Sequence, residues 1–112
     1  MTKTQGEPFG GGQGELPIPP AAGNDPGAQE VLRAWVADES LHCSIRTEAW
    51  KDPAAWGIFL ADAARQVTGV LEGGHDGPRA ALRREEILRR IADQFASEIR
   101  SPSGDPAGSS ED

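Results

Sequence analysis

Two histidines and a single cysteine are the most chemically versatile side chains of this 112-residue sequence. His42 directly precedes Cys43, and a nearby histidine base is the usual way to activate a cysteine nucleophile. On a β-strand, however, adjacent side chains point to opposite faces, so His42 could not reach the thiol. His75 follows a glycine pair, and nothing in the spacing brings it to Cys43. We therefore predict no catalytic residue. An enzyme or enzyme accessory that uses His42 or His75 is kept as an alternative function.

The same histidines, with Asp38 and Asp76, are the candidates for a metal site. Their spacing matches none of the familiar ligand patterns, such as paired histidines one helical turn apart. One cysteine can form neither an intrachain disulfide nor a cysteine-based metal cluster. The glycines at residues 10–12 and 73–74 lack the lysine of a phosphate-binding loop. We predict no metal ligand, no cofactor-binding residue and no cofactor.

Five arginines cluster near the C-terminal end of the sequence, and they are Arg79, Arg83, Arg84, Arg89 and Arg90. Such a cluster could contact the phosphates of a nucleic acid. The formal net charge of −7 opposes non-specific attraction to nucleic acid or to an anionic membrane. Glu85 and Glu86 also lie four residues before Arg89 and Arg90, which is the spacing of helical ion pairs. We expect a solvated helix face and no nucleic-acid partner, with weak nucleic-acid binding through the last helix as a further alternative.

Residues 31–46 fit either a helix or a β-hairpin. The pair Asp25-Pro26 is a good helix start, and four apolar side chains would then share one helical face: Val31, Leu32, Trp35 and Val36. If the chain instead reverses at Asp38-Glu39, six side chains fall on one hairpin face: Leu32, Ala34, Val36, Leu41, Cys43 and Ile45. We favour the hairpin because this segregation fixes the strand register, although a two-residue turn usually has glycine second. A four-residue loop over residues 37–40 would keep the same pairing.

Two amphipathic helices follow. The first has Asp52 as its cap, Pro53 in its first turn and Gly73 as a left-handed end, and Trp50 is expected to pack on its start. Its apolar residues recur at steps of three and four: Trp56, Phe59, Leu60, Ala63, Val67, Val70 and Leu71. The second helix opens near Pro78 and ends at Ser101-Pro102, with an apolar stripe of Leu82, Ile87, Leu88, Ile91, Phe95 and Ile99. The predicted fold class is α+β, with the hairpin packed against the two helices.

The ends of the chain differ in composition from its middle. Residues 1–24 are rich in glycine and proline, and residues 101–112 repeat that composition with added acid. These segments hold too few apolar side chains to offset the entropy of ordering. We predict disordered, flexible tails at residues 1–24 and 101–112 around one domain at residues 25–100. No apolar run is long enough to span a membrane, and no apolar stretch follows Lys3 as in a secretory signal, so we expect a cytoplasmic protein without membrane contact.

The second face of the predicted hairpin is the candidate interface, and it consists of Val31, Arg33, Trp35, His42 and Arg46. An exposed tryptophan beside arginines is typical of interface hot spots, and a positive patch on an acidic protein suits an acidic partner or a second copy. Burial of Trp35 under residues 16–20 of the same chain is the alternative. A single small core leaves little stability to spare. We therefore predict a small, non-enzymatic interaction module that self-associates, with a protein partner or a homodimer.

Three strings in the middle of the chain resemble a small family of uncharacterised alphaproteobacterial proteins, domain of unknown function 5076. They are Glu-Val-Leu-Arg-Ala-Trp-Val-Ala at residues 30–37, Leu-His-Cys-Ser-Ile-Arg at 41–46, and Trp-Lys-Asp-Pro-Ala-Ala-Trp-Gly-Ile at 50–58. The pattern Trp-x-Asp-Pro-x-Ala-Trp-Gly in the third string is the most specific part of a match over about residues 16–102. The resemblance implies a bacterial protein and assigns no activity to any residue. The long acidic tail departs from the family pattern.

Overall fold

The computed structural model describes residues 14–103, which form helix α1 (Pro20–Gly23), strands β1 (Leu32–Ala37) and β2 (Ser40–Ile45), and helices α2 (Pro53–Glu72) and α3 (Pro78–Arg100). The chain divides into two units between Glu30 and Val31. The hairpin and both long helices belong to the second unit, and the predicted α+β class is confirmed. Residues 1–13 and 104–112 of the predicted tails lie outside the described residues, and the domain boundaries stay predictions.

In the first unit, the segment around Asp25 forms a turn where the helical alternative required a helix start. The Asp25 carboxylate accepts a hydrogen bond from the Gly27 amide at 2.8 Å, which is the local bonding that makes aspartate favourable in turns. The Ala28 amide donates to the Asp25 carbonyl at 3.0 Å and completes the reversal. The helical alternative is therefore wrong.

The hairpin has the predicted register. Leu32 pairs with Ile45, Ala34 with Cys43 and Val36 with Leu41. The connection is the two-residue turn at Asp38-Glu39, whose φ angles of 52° and 62° are both left-handed. Two positive φ angles are those of a type I′ turn, which matches the twist of a hairpin but costs energy in residues other than glycine. The pattern of the strands thus overrides the unfavourable turn residues.

Replacing Glu39 by glycine is expected to stabilise the protein by about 0.5–1 kcal/mol, because glycine adopts the left-handed conformation without the Cβ penalty. The urea unfolding midpoint measures the gain. Lys51→Gly is the matched control, since Lys51 is exposed and lies outside the positive-φ positions. Equal destabilisation by both glycines would show that the turn residues are not under strain.

Helix α2 begins and ends at the predicted residues. The Asp52 carboxylate accepts a hydrogen bond from the Ala54 amide at 3.0 Å, and Pro53 occupies the first turn. At the other end Gly73 has a φ of 102°, and its amide donates to the Gly69 carbonyl at 3.1 Å. This is a left-handed C-cap that favours glycine. Pro78 opens α3 as predicted.

The closest backbone approaches among the described residues are between β1 and β2 and between α2 and α3. The hairpin residues Val36, Leu41 and Ile45 are at least half-exposed, so the described helices do not bury them. Trp50, in the segment before α2, contacts Trp56 and Phe59 of that helix.

Candidate interaction surface

Very few side chains are buried in the second unit. The buried residues among those described are Ala80, Thr68 and Glu72, and none of them is a large apolar residue. Many of the large apolar side chains that the periodicity assigned to a core are instead exposed, and in the second unit they are Val36, Leu41, Ile45, Leu60, Val67, Val70, Leu71, Leu82, Phe95 and Ile99. Apolar exposure of this extent is typical of surfaces that bind a partner, which makes these residues the candidate interaction surface.

One part of this surface is the hairpin apolar face, which we define as Leu32, Ala34, Val36, Leu41, Cys43 and Ile45. The register places all six on the same side of the two strands. Val36, Leu41 and Ile45 are 59%, 51% and 51% exposed, and the Cys43 thiol is also exposed. This face has the composition of the inner side of a sheet, and the described residues of its unit leave it largely exposed.

A second part is the α2 apolar stripe, which we define as Leu60, Val67 and Leu71. Steps of seven and four residues place them on one line along the helix, where they are 42%, 48% and 61% exposed. The buried residues of α2 are Thr68 and Glu72, and Glu72 bonds to Arg84 of α3. Helix α2 therefore faces α3 with a smaller, more polar side and leaves its larger apolar residues uncovered.

Three aromatic rings form a cluster where the hairpin segment enters α2. Trp50 lies 5.0 Å from Trp56 and 5.5 Å from Phe59, measured between ring centroids, and Trp56 lies 5.7 Å from Phe59. The Trp56 indole also donates a hydrogen bond to the Trp50 carbonyl at 3.0 Å. The contact between Trp50 and the helix start was predicted, and the cluster gives the string Trp-x-Asp-Pro-x-Ala-Trp-Gly a structural role.

Sequence reasoning missed a buried carboxylate at the turn between α2 and α3. The Glu72 side chain is 1% exposed and accepts hydrogen bonds from the His75 amide, from His75 Nδ1 and from Arg84 Nη1, at 3.1, 3.0 and 3.1 Å. Arg84 also donates to the His75 carbonyl at 2.9 Å. Arg84 was expected on a solvated face; its side chain is 39% exposed and also reaches back to the turn, which the sequence analysis did not predict. The available signal was the spacing of an acid and an arginine across a short glycine-rich turn.

The electrostatics of this group follow from its neighbours. Burial raises the pKa of Glu72, but the hydrogen bonds from His75 and Arg84 and the charge of His75 outweigh it, so the pKa is lowered overall. The carboxylate is thus ionised in the folded protein and joins the turn to α3. Its three donors all come from the same unit, which makes it a structural clamp of the helix pair.

The rest of the arginine cluster is exposed as predicted. Arg89 donates to Glu86 at 3.0 Å, in an i,i+3 pair that replaces the two i,i+4 pairs expected from the sequence. Arg79 and Arg83 line a shallow, open depression on α3 with Leu82, Glu86 and Ile87.

The predicted interface residues Val31, Arg33, Trp35, His42 and Arg46 lie together on the hairpin face opposite the apolar one. Trp35 is half-buried, while Arg33, His42 and Arg46 are exposed. Two of these side chains have partners in their own segment: His42 Nε2 donates to the Ala37 carbonyl at 3.1 Å, and Arg46 pairs with Glu48 at 3.5 Å. Their role as an interface stays a prediction.

The candidates for catalysis and metal binding are placed as follows. His42 and Cys43 lie on opposite hairpin faces, as the strand pattern requires. Within residues 14–103, no three histidine, cysteine or acidic side chains come together as a metal site would need. Within the same range, no helix has the length and apolar character to cross a membrane.

Comparison with known proteins identifies a family and a related solved structure. The family described as "Domain of unknown function (DUF5076)" matches residues 15–103. A solved structure from the photosynthetic bacterium Rhodopseudomonas palustrus CGA009, of a protein provisionally named a pyruvate dehydrogenase, is 30% identical in sequence. The similarity covers 88% of this chain and 92% of the other, with a TM-score of 0.56. No curated protein matches the chain.

Proposed function

The chain belongs to the family described as Domain of unknown function (DUF5076), and we propose that it is a small, non-enzymatic protein-interaction module that works as a homodimer. One observation carries the proposal. Many large apolar side chains of both helices and of the hairpin are exposed, while the buried positions among the described residues hold alanine, threonine and glutamate.

The size of the apolar surface favours association. Covering a half-exposed valine, leucine or isoleucine stabilises a protein by roughly 1 kcal/mol. The hairpin apolar face and the α2 apolar stripe together hold several such side chains. A second copy is the simplest partner, because the commonest assembly of soluble proteins is a dimer with two-fold symmetry. In such a dimer every contact between the two copies occurs twice.

We propose no catalytic role for the two histidines because each forms a hydrogen bond within its own turn. His42 bonds to the Ala37 carbonyl and His75 bonds to Glu72. The name pyruvate dehydrogenase was given to the R. palustrus protein, and we do not transfer it to this chain. A cytoplasmic location is part of the proposal, supported by the single free thiol of Cys43 and by the net charge of −7.

Sedimentation velocity tests the proposal on the full chain. We expect a species of twice the 11.8 kDa chain mass at micromolar concentration. A species of the chain mass throughout the micromolar range would contradict it, because the apolar faces would then be stable in water. Salt should change the mass little, since the surfaces that associate are apolar.

A further inference from the structure

We infer that the homodimer is reciprocal: the hairpin apolar face of each copy lies on the α2 apolar stripe of the other copy. The inference rests on the proposed function and names the two surfaces that meet. The described residues of the unit leave the larger side chains of each surface about half-exposed or more. An apolar sheet face against an apolar helix face is one of the few stable layer arrangements of proteins.

The two surfaces match in length. Six residues of strand β2, Ser40–Ile45, extend over about 20 Å. The α2 apolar stripe advances eleven residues from Leu60 to Leu71, which corresponds to about 16 Å along the helix. One hairpin therefore covers the stripe from end to end, with Cys43 near the middle of the sheet face and Val67 between the two leucines.

The connection between the two surfaces is short and is anchored near the start of α2. Seven residues, 46–52, join β2 to α2, and Trp50 within them contacts Trp56 and Phe59 in the first turns of α2. The α2 apolar stripe begins at Leu60, beyond these contacts, and runs toward the end of the helix. A second copy reaches the stripe without breaking this aromatic cluster.

Symmetry separates the reciprocal arrangement from its rivals. Pairing hairpin with hairpin, or α2 with α2, covers one of the two surfaces and leaves the other in water. The reciprocal arrangement covers both surfaces, and the two-fold axis repeats the contact. The area that it buries is therefore closer to the roughly 800 Å² per partner of a standard interface than the area buried by either alternative. It also leaves the opposite hairpin face, with Arg33, His42 and Arg46, pointing away from the contact.

The single native cysteine makes a direct test possible. One chain keeps Cys43 and has no other cysteine; a second, differently tagged chain carries Cys43→Ser and Val67→Cys. The two full-length chains are co-expressed, purified through both tags and treated with a short bismaleimide. We expect a crosslink between Cys43 of one chain and the engineered cysteine of the other, and Leu60→Cys in place of Val67→Cys provides a second position on the stripe.

The control is Asp62→Cys in the Cys43→Ser chain, because Asp62 is exposed and, two residues after Leu60, lies on the opposite side of α2 from the stripe. The mixed crosslink should be at least several-fold stronger from the stripe positions than from this control. Equal crosslink yields from both sides of α2 would overturn the reciprocal arrangement. So would crosslinks that form only between the same cysteine position of two identical chains. A dimeric mass in either case would still support the proposed function. A monomeric mass with no crosslink of any kind would overturn both.

Discussion

Val67→Asp is expected to convert the dimer into monomers. The substitution puts an unpaired carboxylate into the centre of the α2 apolar stripe, where Val67 is 48% exposed in the single chain. Covering such a charge costs several kcal/mol unless it finds a partner. Since each 1.4 kcal/mol is a factor of ten in affinity, the dissociation constant measured by sedimentation should rise on the order of 100-fold or more.

The adjacent position provides the control for this prediction. Gln66→Asp adds the same charge to the same helix, but Gln66 is exposed on the side away from the stripe. The control should therefore dissociate at nearly the concentration of the unsubstituted protein. If both variants dissociate alike, the general increase in negative charge separates the copies, and the stripe is not the contact.

Glu72→Gln is expected to lower the stability of the helix pair strongly. Glutamine keeps the shape of the side chain but offers one acceptor oxygen in place of two, and it lacks the charge that pairs with Arg84. The bonds from the His75 amide and ring are also weakened. Glu86→Gln is the control, since the Glu86 side chain is 58% exposed in its pair with Arg89. The urea midpoint should fall several-fold further for Glu72→Gln than for the control, and equal shifts would show that Glu72 is no clamp.

The acid dependence of stability distinguishes the charge of Glu72 from its shape. Because folding lowers the pKa of Glu72, its contribution is fully present above the ordinary carboxyl range and is lost as the pH falls through the lowered pKa of the folded protein. We expect Glu72→Gln to flatten the loss of stability in acid. Glu98 also has a lowered pKa, through hydrogen bonds from Ser103 and Gln94. The acid profile of Glu98→Gln is therefore compared with that of Glu72→Gln. An unchanged acid profile in Glu72→Gln would contradict the assignment.

Local structure was predictable from the sequence in considerable detail. The alternation of apolar residues determined the hairpin register, because a shift of one residue would have turned Leu41 and Ile45 to the other face. Asp52, Pro53 and Gly73 marked the ends of α2 through their own backbone preferences. At residues 38 and 39 the strand pattern was the better guide, since the second turn position, which usually holds glycine, is Glu39.

The packing of the elements was not predictable in the same way. Periodicity identifies an apolar face, but it does not say whether the same chain or another copy covers it. The residues of the α2 apolar stripe were predicted to face a core, but they are exposed among the described residues, and the buried residues of α2 are Thr68 and Glu72. Glu72 itself interrupts an apolar pattern, and its role depends on Arg84, twelve residues later.

The central claim is that the core of this protein is completed between two copies, and the dependence of unfolding on concentration tests it most directly. When folding and association are coupled, the midpoint of unfolding rises with protein concentration by mass action. The account predicts that the urea midpoint of the full chain rises steadily over about a hundred-fold range of concentration, and that the rise disappears in Val67→Asp. A cooperative unfolding transition whose midpoint stays constant over that range would contradict it, because a single chain would then be stable with its apolar faces exposed.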